Sequence, residues 1–343
     1  MRLFSLFKLL AIAVSIASMP VAADDSDSAY RLGSGYAVGE TGLRIGGYAN
    51  AKIDVPRSAP WYFEATDLSM FITWDNGSRL RFFSELEGGD VLRGGEGEAL
   101  GTQYAHFEFE RFYLDTLINN NLTVRLGKFL TPIGQWNVIH AAPLVWTTSR
   151  PVATEKSFST HASGLMLHGS ILVASRQLEY SVYGDATDAL DPHQSREPFD
   201  DAVGARLRYY LDDTLQIGAS FANFALNDLH PARYHLAGLD VKWSYQKFEL
   251  SSEVIYRTSG HANTKDIWQG FAQSVIPLFS QHWFAVGRYE FFDQPLDKTG
   301  QAGVLGLAYR PLPPVVWKLE YRTGTHNELL APDGLSASFA ILF

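Results

Sequence analysis

The chain has 343 residues, a formal net charge of −9 and no cysteine. The missing cysteines exclude disulfides, thiolate metal sites and cysteine nucleophiles, and the acidic balance excludes a nucleic-acid partner, which requires a basic surface. Phe, Tyr, Trp and Gly are plentiful, a mix that suits many strands joined by turns.

The first residues read as an export signal. Arg2 and Lys8 flank the start of the apolar run Leu9 to Ala17, and the small residues Val21-Ala22-Ala23 precede Asp24-Asp25. That is a charged start, a short apolar core and a small-residue cleavage site. The run is shorter than the ~20 residues of a spanning helix. Residues 1–23 are expected to be a signal peptide, and its removal takes away two positive charges. Residues 24–40 are acidic and rich in Gly and Ser. They are read as a periplasmic N-terminal extension, either a disordered tail or a partial plug.

From residue 41 the pattern is alternation with a period of two, bounded by turn residues. Sixteen segments carry it: 41–54, 60–74, 78–88, 102–116, 121–130, 162–174, 176–185, 201–211, 213–224, 233–245, 247–258, 265–276, 280–292, 300–311, 314–324 and 334–343. In 201–211, Val203, Ala205, Leu207 and Tyr209 alternate with Gly204, Arg206 and Arg208. In 314–324, Val315, Trp317, Leu319 and Tyr321 alternate with Val316, Lys318, Glu320 and Arg322. Segment 102–116 keeps its phase only with a bulge near Arg111. Most of these segments are longer than the ~5–6 residues of a soluble strand and match tilted strands that cross a bilayer.

The connections sort by length. After even-numbered segments they are short, as at Asp75-Asn76-Gly77, Ser175 and Gln246; after odd-numbered ones they are usually longer, as at 89–101, 131–161, 186–200 and 325–333. Short turns on one side and long loops on the other mark an outer-membrane barrel. The fold class expected is all-β, a transmembrane antiparallel β-barrel of about 16 strands spanning 41–343, wide enough for an aqueous lumen.

The longest connection, 131–161, is the third on the long-loop side. It contains Pro132, Pro143, Pro151, Trp136, Trp146 and Phe158. A long, partly apolar loop is usually functional. It is read as folding inward to narrow the lumen, with a lid over the barrel mouth as the alternative. Arg150, Glu155 and Lys156 are its candidate constriction charges.

The stretch Arg125-Leu126-Gly127-Lys128-Phe129-Leu130-Thr131-Pro132-Ile133-Gly134 resembles the strand-to-loop stretch of the phosphate-selective porin family (porins O and P) and its wider relatives. Phe112-Tyr113-Leu114-Asp115 and Gly164 to Gly169 fit the same pattern, over about residues 105–175. The resemblance implies a sixteen-stranded porin and allows a homotrimer. It also implies a dense basic ladder for phosphate, where this loop offers only Arg150 and Lys156 beside Glu155. Phe339, Ile341 and the terminal Phe343 resemble the signal read by the barrel-assembly machinery. That machinery, periplasmic chaperones, outer-membrane lipid and small solutes are the partners implied.

Strand phase gives the lumen-facing candidates. The cations are Arg44, Lys52, Arg79, Arg81, Arg125, Arg206, Arg208, Lys242, Arg288, Lys318 and Arg322. The anions are Glu85, Glu87, Glu108, Glu110, Glu179, Asp240, Glu249, Glu253, Glu290 and Glu320. Either they set a transverse field across the pore, or neighbouring Arg and Glu pair and stiffen the wall. Trp61, Trp74, Trp243, Tyr245, Trp317 and Phe343 fall on the outer face as interfacial girdles.

The ten histidines form no metal-ligand spacing, and His168 beside Ser170 is a pair on one strand face, not a triad. Asp90, Glu96 and Glu98 read as a solvated loop rather than a calcium site. No enzymatic activity, cofactor or metal is expected. The function expected is passive diffusion of small polar or charged solutes through a water-filled lumen. The alternatives are an occluded barrel for hydrophobic compounds and a non-conducting structural or adhesion barrel.

Overall fold

The structure, a computed structural model, describes residues 29–139, 141–186, 198–226, 232–260, 265–294 and 298–343. The expected signal peptide and residues 24–28 lie outside the described residues.

Sixteen long strands build the protein: β1 (Leu43–Pro56), β2 (Tyr62–Asp75), β3 (Leu80–Gly89), β4 (His106–Asn119), β5 (Leu122–Leu130), β6 (His161–Val173), β7 (Arg176–Asp185), β8 (Phe199–Tyr210), β9 (Leu215–Leu226), β10 (Arg233–Tyr245), β11 (Phe248–Ser259), β12 (Ile267–Pro277), β13 (Trp283–Asp293), β14 (Thr299–Leu312), β15 (Val315–Thr325) and β16 (Gly334–Leu342). Each pairs antiparallel with the next. Strand β16 returns to β1, with Ser338 opposite Lys52 and Ile341 opposite Ala49, so the sheet closes. Every expected segment is a strand, with ends displaced by a few residues. The largest displacement is 102–116, which forms as His106–Asn119.

The expected bulge is present. Glu85 pairs with Arg111 and Leu86 with Phe109, which leaves Glu110 as the extra residue. An extra residue lets both Glu110 and Arg111 lie on the inner face while Phe109 and Phe112 stay exposed outside.

The burial pattern is inverted relative to a soluble barrel. Outer-face residues such as Leu207, Phe221, Leu239, Leu305 and Leu319 are exposed. Glu85, Arg206, Glu253, Arg288, Glu290 and Lys318 are buried inside. Water would penalise that outer surface, and hydrocarbon would not. In hydrocarbon every backbone N–H and C=O must be paired, which a closed sheet achieves. No helix among the described residues is long and apolar enough to cross a membrane.

One end carries tight turns. Ala174 and Ser175 both have positive φ, 50° and 63°, as a two-residue hairpin turn requires. At 76–79, Gly77 N donates to Asp75 Oδ1 and Ser78 N to Asn76 Oδ1, 2.9 and 3.1 Å.

Two small hairpins add to the barrel. Leu92–Gly95 and Glu98–Gly101 pair within the connection from β3 to β4, and the first also pairs with Tyr62–Ala65. The connection is therefore a continuation of the sheet above β2, with Gly97 at its tip (φ 83°). Tyr30–Arg31 pairs with Gly35–Ala37, which pairs with Arg44 and Ile45. Strand β16 leaves that edge of β1 open below Tyr48, and the hairpin occupies it. This part of the extension is ordered strand, and it protects an edge that would otherwise offer unpaired backbone groups.

Candidate pore constriction

The connection from β5 to β6 fills part of the lumen and is called here the lumen loop. Its neck is closed by Thr131 N donating to Thr160 O at 2.8 Å. Asn137 Nδ2 ties both sides of the neck, donating to Thr131 O (2.8 Å) and Thr160 O (3.0 Å). Gly134 adopts φ 61°. A Cβ there would lie 2.8 Å from Glu253 Cδ, so position 134 requires glycine both for its backbone and for close approach to the wall.

Beyond the neck the loop is held by wall carboxylates. Glu253 Oε1 on β11 accepts from Gln135 N at 2.8 Å and Trp136 N at 2.6 Å. Glu320 on β15 accepts from Thr148 N (2.8 Å) and Ser149 N (3.2 Å). Glu290 on β13 accepts from Val152 N at 2.7 Å, at the start of the short helix α1 (Val152–Lys156). Wall cations hold the loop's acceptors. Arg288 donates to Thr147 Oγ1 and Ser149 Oγ, both 2.7 Å. Lys318 Nζ donates to Ala142 O and Thr147 O, both 3.1 Å. Hydrogen bonds to charged groups contribute about 1.5–3 kcal/mol each.

Apolar contacts complete the fit. Trp136 meets Phe271 edge-on with centroids 5.8 Å apart, and Trp146 lies 4.6 Å from Phe284. Phe158 and Ile133 join Phe129, Met166 and Tyr183 in a buried cluster. The loop thus folds inward, mainly against strands β7 to β16 and, at Ala141, against Tyr48 and Phe71 of β1 and β2, and not over the mouth as a lid.

Among the described residues, two sizeable cavities border the loop. One, of about 550 Å³, lies toward the long-loop end between the loop and β1 to β4. Its lining includes Lys52, Glu64, Glu108, Glu110, Arg150 and Glu155. The other, of about 460 Å³, lies toward the short-turn end between β4 and β8. Its cations are Arg111, Arg125, Arg206 and Arg208.

The two sequence readings of the wall charges divide between these regions. Arg125 makes a bidentate bond to Asp115 (2.7 and 2.8 Å) and lies 3.6 Å from the Tyr113 ring centroid. Arg206 pairs with Asp240 at 3.1 Å and Arg208 with Glu179 at 3.2 Å. Arg111 pairs with Glu85 at 2.5 Å. These are wall pairs. Arg288, Lys318, Glu253, Glu290 and Glu320 hold the lumen loop instead, a role the sequence reading missed. The signal for it was weak: nothing in strand phase says which inward carboxylate meets a loop amide.

The other predicted residues are placed as follows. Arg322 Nε donates to Pro332 O at 2.8 Å and lines the long-loop cavity. Arg81 pairs with Asp75 at 2.8 Å on the short-turn rim. Arg79 does not occupy a strand: the 76–79 turn consumes it and leaves it exposed, so its expected pore-lining position is not the one observed. Lys156 is exposed at the end of α1, and Glu155 and Arg150 line the long-loop cavity. Phe343 exchanges two backbone hydrogen bonds of 2.8 Å with Gly47 and seals the seam. Phe339 stacks near Trp317, 4.5 Å between centroids, and Ile341 pairs with Ala49.

Among the described residues Glu87, Glu108 and Glu110 bring carboxylate oxygens within 4.8 Å of one another, a spacing that a divalent cation accepts. Glu87 already accepts from Tyr48 (3.2 Å) and Ser69 (3.0 Å), and Glu110 lies 2.8 Å from His161 Nε2. Asp90, Glu96 and Glu98 sit in or beside the added hairpin, where Arg93 pairs with Asp90 at 3.7 Å.

No protein-family model and no curated protein matches the sequence. Solved structures do match. The anion-selective porin from Comamonas acidovorans aligns over 88% of this chain and 99% of its own, with 12% identity and a TM-score of 0.65. The fold is that of the outer-membrane porins. Salmonella typhi OmpF, solved with daunomycin, aligns over 89% of this chain and 98% of its own, with 13% identity and a TM-score of 0.62. The trimer form of Vibrio cholerae OmpT aligns over 88% and 99%, with 10% identity and a TM-score of 0.60. Identities this low carry the porin architecture and leave solute choice to this chain's own residues.

Proposed function

We propose that the protein is a porin of the bacterial outer membrane, giving passive diffusion of small polar or charged solutes through a water-filled lumen. The observation that carries this reading is the lumen itself. It is lined by charge, narrowed by a loop anchored at several wall carboxylates, and left with polar cavities on both sides. The inverted burial supports a membrane location. A hydrophobic-compound transporter would present an apolar inner chamber, whereas the long-loop cavity is lined by Lys52, Glu64, Glu108 and Arg150.

Phosphate selectivity gains no support from the resemblance of 125–134, because Arg125 is engaged bidentately by Asp115. A homotrimer is the assembly we favour, by analogy with the trimeric Vibrio cholerae relative; light scattering of the detergent-extracted barrel tests it. The channel itself is tested by swelling of proteoliposomes in a series of neutral sugars. Pentoses should enter quickly and trisaccharides slowly. Equal exclusion of all of them by a folded barrel would sink the proposal.

A further inference from the structure

We propose that the channel is electrically bipolar along its axis and passes ionic current more readily in one direction than the other. This deepens the porin reading and rests on it. The long-loop cavity is lined by eight carboxylates, among them Asp54, Glu64, Asp67, Glu108 and Glu155, against four cations, Lys52, Arg150, Lys318 and Arg322. The short-turn cavity is lined by four guanidiniums, Arg111, Arg125, Arg206 and Arg208, against Glu179 alone. The net lining charge is therefore −4 toward the long loops and +3 toward the short turns, with histidines neutral.

The guanidiniums have wall partners, and this shapes the field without reversing it. Glu85, Asp115 and Asp240 pair with Arg111, Arg125 and Arg206 but do not line the short-turn cavity. A mobile ion in that cavity meets the positive end of each pair first. Coulomb attraction falls with distance and is screened over about 8 Å at physiological salt, so the nearer group dominates. The lumen loop stands between the two regions: Pro132 and Val138 border the short-turn cavity, and Thr148 and Ser149 border the long-loop cavity.

Physics then fixes the direction. Cations concentrate in the acidic half and anions in the basic half. A potential that is positive on the long-loop side drives both ions toward the junction, fills it and raises conductance. The opposite potential draws both away and depletes it. A dipolar solute at the junction is favoured with its cationic end in the acidic half and its anionic end in the basic half, so one that enters from the long-loop side crosses with its anionic group leading.

The test is the single-channel current–voltage curve of the mature protein in symmetric KCl. Orientation is read by one-sided maleimide labelling of Glu96→Cys, at the tip of a hairpin in a chain with no other cysteine. At about 0.1 M salt, current with the long-loop side positive should exceed the reverse current on the order of 1.5-fold, and the ratio should approach one at 1 M, where the screening length is about 3 Å. The triple variant Glu64→Gln, Glu108→Gln, Glu155→Gln should flatten the low-salt ratio. If that variant does not fold, the wild-type salt series decides alone. Open steps with a symmetric curve or the opposite polarity at low salt would overturn the bipolar proposal and leave the porin standing. A folded barrel that never conducts would overturn both.

Discussion

Glu253 and Trp136 are 117 residues apart in sequence, yet the Glu253 carboxylate accepts the Trp136 backbone amide at 2.6 Å inside the barrel. The same oxygen takes Gln135 N at 2.8 Å, so one wall side chain caps two consecutive loop amides. This contact, with those at Glu290 and Glu320, makes the lumen loop a fixed part of the wall rather than a mobile flap.

Replacing Glu253 with alanine should release the loop near its neck while leaving the barrel closed. Two charge-assisted bonds are lost, and the local cost is about 3–6 kcal/mol. Limited proteolysis should cut between residues 131 and 160 faster in the variant, and single-channel current should become noisier. An unchanged cleavage rate would mean that the other anchors suffice.

Gly134→Val should be worse than Gly134→Ala, and both should disturb the same contact. The backbone there is left-handed, and a Cβ would press against the Glu253 carboxyl. A non-glycine residue in this region costs about 1–2 kcal/mol before any clash. Double mutation with Glu253→Ala should be less than additive, because the clash partner is gone.

Trp146→Ala should widen the passage. Trp146 packs on Phe284, and its Nε1 donates to Glu249 at 3.1 Å. Truncating a packed Trp costs about 3–5 kcal/mol when the site is dry. The sugar size limit in proteoliposome swelling should rise; a lower limit would show loop collapse into the lumen instead.

Asp212, in the turn from β8 to β9, gives a pH prediction. Side-chain donation from Thr214 Oγ1, then the backbone amides of Thr214 and Leu215, hold its carboxyl below the ordinary Asp value. A depressed carboxyl stabilises the fold above the unfolded value near 3.8 and loses that contribution as pH falls through the folded value. Amide exchange at residues 211–215, corrected for its intrinsic pH dependence, should be flat from pH 8 to 5 and should show reduced protection only in more acidic buffer. Asp212→Asn should remove that acid-dependent change.

Phe343 sits at the seam, bonded to Gly47 through both backbone groups. Deleting it should reduce the barrel recovered in outer membranes, while refolding in detergent should still yield heat-modifiable barrel. Equal recovery from membranes would argue against an assembly signal at the C-terminus.

The strands were legible because their cause is local. Alternation such as Val203, Leu207 and Tyr209 against Arg206 and Arg208 reflects two different solvents on two faces. The bulge at Glu110 was legible for the same reason, since only an extra residue keeps Phe109 and Phe112 on one face. The lumen loop announced itself through Trp136, Trp146 and Phe158, side chains that a solvated loop would not retain. Its anchors did not. Glu253, Glu290, Arg288 and Lys318 alternate like any inward residue, and their partners lie more than a hundred residues away. Arg79 falls outside the strand because the turn that opens at Asp75-Asn76-Gly77 runs two residues further, through Ser78 and Arg79. The 92–101 hairpin was hidden because glycines and acids in a short segment resemble a solvated loop.

The measurement that bears most directly on the central claim is single-channel conductance, in a planar bilayer, of the refolded protein made without residues 1–23. A water-filled porin narrowed by a fixed lumen loop should show long-lived open steps of uniform size, larger when Trp146 is truncated. A correctly folded barrel that inserts and never conducts would contradict the channel reading.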